Sequence, residues 1–114
     1  MLDLKSAKWE ALMWVQSEKK VARRVFEAAL NAEKAELVTE FKARAMAVTQ
    51  PDDIRLIEQY LRDKRYEIDR KYDSRCSQLI RVLARLLSEG RIHEDQLIGL
   101  ADEKRAWICH LASL

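Results

Sequence analysis

Apolar residues recur at steps of eleven along most of this chain, and that step decides what the chain can become. Val15, Phe26, Leu37 and Val48 form one row, and Leu30 and Phe41 form another, four places on. Later, Ile57, Ile68 and Leu79 keep the same interval, as do Leu61, Tyr72 and Leu83. Eleven residues in three turns is close to the pitch of a straight α-helix, so each row stays on one face. Strands need a period of two, and turns need Gly and Pro, of which the 114 residues hold only two and one. The pattern predicts an all-α chain.

Local punctuation places three helices in a single domain spanning 1–114. The first is expected over 6–47, from Ser6 to Ala47, and Thr49-Gln50-Pro51-Asp52 breaks it. Proline disfavours helix in the residue before it and suits a first turn, and Asp52 and Asp53 suit the positive end of a new helix dipole. A second helix is expected over 52–89, with Gly90 as its left-handed cap, and a third over 93–112 with Leu97, Leu100, Ala101, Ile108 and Leu111 on one side. At 1.5 Å per residue the first helix would be roughly 60 Å long, whereas a compact globule of this size is about 35 Å across. One copy cannot cover both flanks of such rods, and a two-fold dimer closes the apolar surface on itself. The expected architecture is therefore an extended antiparallel stalk of two long helices with a small head formed by the shorter C-terminal helix, paired as a homodimer. Its dimer face is read from the apolar rows and one cation: Phe26, Leu37, Phe41, Ile57, Leu61, Arg65, Ile68 and Tyr72.

The charges are dense but interleaved: 21 Lys and Arg against 19 Asp and Glu give a net charge of +2. That balance lacks the basic arm that neutralises a phosphate backbone. A nucleic-acid-binding dimer using Arg55, Arg62, Arg70, Arg81, Arg85 and Arg91 is the alternative reading, and the intervening acids and missing aromatic platform argue against it. No apolar run is long enough to span a bilayer, and "MLDLKSAKWEAL" lacks a secretory leader, so a cytoplasmic location is expected. Cys76 and Cys109 then read as small buried thiols rather than a disulfide. His93 and His110 would stand about 25 Å apart on a continuous helix and cannot share a metal. With no nucleophile motif and no Gly-rich phosphate loop, neither enzyme chemistry nor a cofactor is expected. In "KWEALMWVQ", Trp9, Leu12, Met13 and Val15 make a broad apolar face with Trp14 beside it. Its polar face is not strongly basic, which favours packing against protein over a membrane surface.

One segment, "KRYEIDRKYDSR" from Lys64 to Arg75, packs five basic and three acidic side chains into twelve residues. A third row of the second helix runs Ile54, Arg65, Cys76, Leu87, so Arg65 stands where its equivalents are apolar. A guanidinium there is expected to be partly desolvated and to need a carboxylate, with Asp69 within reach on the same helix and a partner from elsewhere equally open. Lys64, Arg70, Lys71 and Ser74 read as a solvated face, and Tyr72 as core with its hydroxyl on a local partner.

From Val48 onward the chain reads "TQPDDI", "KRYEIDRKYDSR", "LARLLSEG" and "DQLIGLADEK", of which the KR-x-EID-x-KYD-x-R frame is the most specific. In these stretches the sequence resembles the fluorescence recovery protein family of cyanobacteria. In the first helix only Phe26 and "ARA" (Ala43 to Ala45) agree well. The resemblance implies an all-helical dimer with a helical stalk and head. It implies binding to the photoactivated orange carotenoid protein, faster return of that protein to its resting form, and its release from the light-harvesting antenna, with no covalent chemistry. Arg65 falls on an arginine that the family uses at its dimer and activity surface, and Glu67, Ile68, Asp69, Lys71, Tyr72, Asp73 and Arg75 are in register. Arg55 replaces a family tryptophan, Glu58 a histidine, Gln59 an aspartate, Arg81 a head-helix phenylalanine and Trp107 a late lysine. The expected partner-binding residues are Arg55, Glu58, Gln59, Arg65, Arg81 and Trp107, on a patch altered enough that the protein client can be the carotenoid protein or another. Glu58 is the candidate carboxylate for Arg65, within the chain or across the dimer.

Overall fold

The computed structural model describes residues 14–114. Expectations for Ser6 to Met13, including the face of Trp9, Leu12 and Met13, lie outside the described residues. Four α-helices follow in order: α1 Gln16–Met46, α2 Pro51–Lys71, α3 Cys76–Ser88 and α4 Asp102–Ala112, with a 3-10 turn Glu94–Leu97 before the last. Among the described residues there is no strand.

Three helix limits differ from the sequence reading, each for a local reason. Trp14 and Val15 are not helical, so α1 starts at Gln16 rather than running through from Ser6. The Glu18 carboxylate accepts the Val15 N–H at 3.2 Å, the reach-back of a glutamate three residues into a helix. The expected helix over 52–89 is two helices, parted at Tyr72–Arg75. There the Asp73 carboxylate accepts the Arg75 N–H at 3.1 Å and its guanidinium Nε at 3.0 Å. A short acid that bonds the backbone two residues on offers the chain an alternative to the helical ladder. The apolar rows step across this break without a fault, which hides it from periodicity alone. The expected helix over 93–112 keeps only its second half, because Gly99 takes a positive φ of 112° before α4.

The breaks read correctly are between α1 and α2 and after α3. Asp53 accepts the N–H groups of Thr49 and Gln50, both at 3.0 Å, and these bonds hold its carboxyl below the usual value. Gly90 has φ 73°, and its N–H bonds Leu87 O at 3.1 Å while Arg91 N–H bonds Leu86 O at 3.0 Å, a Schellman cap.

The chain divides into two compact units. The first comprises residues up to Ala29 together with Asp73–Leu114. Ala22, Val25, Phe26 and Ala29 of α1 are buried there, with Leu79, Ile80, Val82, Leu83 and Leu86 of α3 and Ile92, Leu97, Leu100 and Ile108 beyond it. A Cβ on Gly99 would lie 2.9 Å from Val21 Cγ2, so glycine is required both by its φ and by this approach. An ion pair sits within this unit: Lys104 Nζ donates to both Glu18 oxygens, at 3.0 and 3.1 Å, and both residues are buried. Burial pushes the Glu18 carboxyl up, but the Ala101 N–H at 2.9 Å, Lys104 and the Val15 N–H together outweigh it, and its pKa is lowered. Lys104 also stands 5.1 Å from the Trp14 ring, whose buried Nε1 has no hydrogen-bond partner among the described residues. Cys76 and Cys109 are free thiols, half-buried rather than fully buried, and burial with the neighbouring Glu94 carboxylate pushes Cys109 up, away from the reactive thiolate.

The second unit is Leu30–Tyr72. Arg44 lies over the Tyr60 ring at 3.7 Å, and Tyr72 Oη donates to Glu33 Oε1 at 2.7 Å. Earlier residues of one helix thus meet later residues of the other, so α2 runs antiparallel to this part of α1. Lys71 also pairs with Glu33. Lys71 and Tyr72 are the buried residues of this unit, and its apolar positions other than Tyr72 are half-buried or exposed. Tyr72 is core with a local partner for its hydroxyl, as read from the sequence. Lys71 is not the solvated cation expected; its side chain is enclosed and paired with the half-buried Glu33 carboxylate.

Two predictions follow from these charges. Lys104→Met leaves a buried carboxylate unpaired and should cost ~3 kcal/mol in urea unfolding. The double variant Glu18→Leu/Lys104→Met should recover at least about half of that, since no buried charge is then orphaned; additive losses would contradict the pairing. Asp73 is held at about 2, against an ordinary 3.8, chiefly by the hydrogen bond from the Arg75 side chain and then by the Arg75 N–H. Its contribution to the fold is whole above 3.8 and is lost as pH falls toward 2. A carboxyl NMR titration should place its midpoint near 2, and Arg75→Gln should move it back toward 3.8.

Candidate functional site

Helix α2 carries Ile54, Glu58, Leu61, Arg65 and Ile68 at alternating steps of four and three, which aligns them along one side. Ile54 is 61% exposed, Leu61 and Ile68 are half-buried, and Glu58 and Arg65 are exposed. In the same unit Val38 and Phe41 of α1, and Leu56 and Tyr66 of α2, are also exposed. Single exposed apolar residues are ordinary, but an apolar row left open along a helix of a thin two-helix layer marks surface available to another molecule.

Arg65 has no carboxylate partner among the described residues. Its expected partner is engaged elsewhere: Glu58 Oε1 accepts Arg62 Nη2 at 3.1 Å, one turn away, with both side chains about two-thirds exposed. The Arg65–Glu58 pair is thus not formed within the chain, and the desolvation expected for Arg65 is absent from a single copy. Gln59 Nε2 donates to Asp63 at 3.0 Å, and Arg55 is exposed. Of the proposed dimer face, Phe26 and Tyr72 are buried by their own chain, Leu37, Ile57, Leu61 and Ile68 are half-buried, and Phe41 and Arg65 are exposed.

The remaining partner-binding candidates belong to the first unit. Arg81 is exposed on α3 and its Nε donates to Gln78 at 2.7 Å. Arg81, Ala84, Arg85, Ser88 and Leu111 line a shallow open cleft of about 300 Å³. Trp107 is half-buried on α4 and stacks on His110, with ring centroids 5.7 Å apart. The six candidates therefore fall into two sets, Arg55, Glu58, Gln59 and Arg65 in one unit and Arg81 and Trp107 in the other.

What these surfaces can do is bind. Among the described residues no cluster of three or more His, Cys, Asp or Glu could hold a metal, and no helix is long and apolar enough to cross a membrane. Several arginines of the nucleic-acid reading are engaged by acids: Arg62 by Glu58, Arg85 by Glu89 at 3.0 Å, and Arg91 by Glu89 at 3.5 Å. Glu58 and Glu89, the latter shared by two arginines, each offset a positive charge that phosphate would need. Sequence reasoning missed Glu33 as the acceptor of both Lys71 and Tyr72, and Glu18 as the partner of Lys104. The only signal was a lone acid among residues that turn out buried, as Glu18 is beside Ala22 and Val25.

Set against known proteins, residues 14–112 match the family model described as photoprotection regulator fluorescence recovery protein. The chain is 40% identical over 101 residues to the fluorescence recovery protein of Synechocystis, covering 89% of this chain and 93% of that one. The solved structure of the Synechocystis sp. PCC 6803 protein is similar, with TM-score 0.82 and 39% identity over 90% of this chain and all of that one. That of the Fremyella diplosiphon protein gives 0.83 and 33% over the same shares. With the family model matched over residues 14–112 and a relative 40% identical across most of both chains, the chain belongs to the fluorescence recovery protein family of photoprotection regulators.

Proposed function

We propose that the protein is a non-enzymatic homodimer that binds the photoactivated orange carotenoid protein, or a close counterpart, and speeds its return to the resting form, releasing it from the light-harvesting antenna. The family match across residues 14–112 carries this reading. The open row on α2 supports the dimer: a second copy laid along Ile54, Leu61 and Ile68 would cover them and desolvate Arg65, whose charge then needs a carboxylate from the other copy. The two helices of the second unit would form the stalk, and the first unit, with Arg81 and Trp107, the client-binding head.

The effect on a client is catalysis of a conformational change without a covalent step. A partner accelerates such a relaxation only by binding the intermediate states better than the starting state, and each tenfold gain in rate takes about 1.4 kcal/mol of that preference. Arg55 and Arg81 set the selectivity: guanidinium in place of an aromatic ring favours a more acidic client surface and loses the stacking area of the ring.

Dark recovery of a photoactivated cyanobacterial orange carotenoid protein, followed by its colour, tests this. The protein should speed recovery at substoichiometric amounts. The variant Arg55→Trp/Arg81→Phe should speed recovery of that client further, by about tenfold. No acceleration by either protein would refute the proposed activity toward this client.

A further inference from the structure

In the first two turns of α1 the sequence Lys19-Lys20-Val21-Ala22-Arg23-Arg24 places four cations within six residues. The buried residues of this helix, Glu18, Ala22, Val25, Phe26 and Ala29, occupy one side. At 100° per residue Lys20, Arg23 and Arg24 fall on the far side and are exposed, and Lys19 falls at its flank and is half-exposed. None of the four has an ion pair among the described residues. Glu27, exposed one turn on, is the lone acid of this face, so the face is left with a clear positive excess.

Arg44, Arg62, Arg85 and Arg105 each pair with a carboxylate three or four residues away on their own helix, whereas Arg23 and Arg24, at that same spacing from Glu27, form no such pair among the described residues. The cations of α1 also stand at the end where the helix dipole is already positive, which disfavours them. The acid that would relieve this, Glu18, is turned inward to Lys104. A face with four cations and one acid at the positive end of a helix attracts anions.

We propose that Lys19, Lys20, Arg23 and Arg24 form a docking stripe for an acidic segment of a protein partner, one that presents about three or four carboxylates along a helix or loop. This rests on the reading of the chain as a protein-binding regulator and adds a surface that neither Arg81, Trp107 nor the α2 row supplies. A membrane fits less well, because the apolar side of this helix is buried in its own unit and cannot enter the lipid. Nucleic acid fits less well, because the stripe is about 8 Å long and carries no aromatic side chain on which a base could stack.

The test uses a fluorescein-labelled Glu-rich peptide read by anisotropy, with the full chain and two variants that change net charge equally. Lys19→Gln/Lys20→Gln/Arg23→Gln/Arg24→Gln removes the stripe, and Lys34→Glu/Lys42→Glu alters two exposed cations of the second unit. The stripe variant should bind the peptide about tenfold more weakly at ~0.1 M salt, the control should bind nearly as the natural chain does, and the difference should vanish at ~1 M salt. Equal weakening in both variants, or tighter binding of the natural chain to a single-stranded oligonucleotide or to phosphatidylserine vesicles than to the peptide, would overturn the proposal. Carotenoid-protein recovery by the natural chain is scored separately, so loss of that activity refutes the proposed function and leaves the peptide result to decide the stripe.

Discussion

Two helices laid side by side cannot hide all of their own apolar residues, and the second unit is a two-helix layer. Its closed parts are where one helix meets the other at Glu33, Lys71 and Tyr72 and where Arg44 covers Tyr60. Elsewhere Val38, Phe41, Ile54, Leu56 and Tyr66 face outward. The first unit has no such problem, because three helices and a 3-10 turn enclose Leu83, Leu86, Ile92, Leu97 and Ile108 completely. One chain therefore contains a self-sufficient core and a layer with open apolar surface. The proposed dimer and the client-binding regulator built on it both start from that contrast.

Buried charge fixes the geometry in both units. Glu18 accepts from Val15, Ala101 and Lys104, which ties the start of α1 to the start of α4. Glu33 accepts from Lys71 and Tyr72 and ties the middle of α1 to the end of α2. A carboxylate inside a protein is tolerated only with its bonds made, so sliding one helix past another would cost several kcal/mol at each site. Apolar rows repeating every eleven residues would tolerate such slippage better; these two acids specify the register.

The sequence made the helical class, the turn at Pro51, the cap at Gly90 and the core role of Tyr72 legible, because each depends on local chemistry or on periodicity. It concealed the break at Tyr72–Arg75, where apolar rows continue unbroken across a turn built by one Asp73 side chain. It concealed Lys71 as well: inside "KRYEIDRKYDSR" nothing local separates the lysine that meets Glu33, 38 residues earlier, from its solvated neighbours. The candidate surface was legible in part. Arg55, Arg65 and Arg81 are exposed as a binding role requires, but Glu58 has been taken by Arg62, a competitor four residues away that pairing across a repeat does not reveal.

The match to a family of photoprotection regulators supplies the type of function, and the proposed selectivity rests on Arg55 and Arg81, both exposed. All of it presumes that the open layer of the second unit is covered by a second copy. Light scattering on the eluting protein at micromolar concentration measures that directly. The account predicts a mass of twice the chain's 13.4 kDa, falling to one chain when Arg65 is changed to Glu. A stable particle of 13.4 kDa for the natural sequence would contradict it.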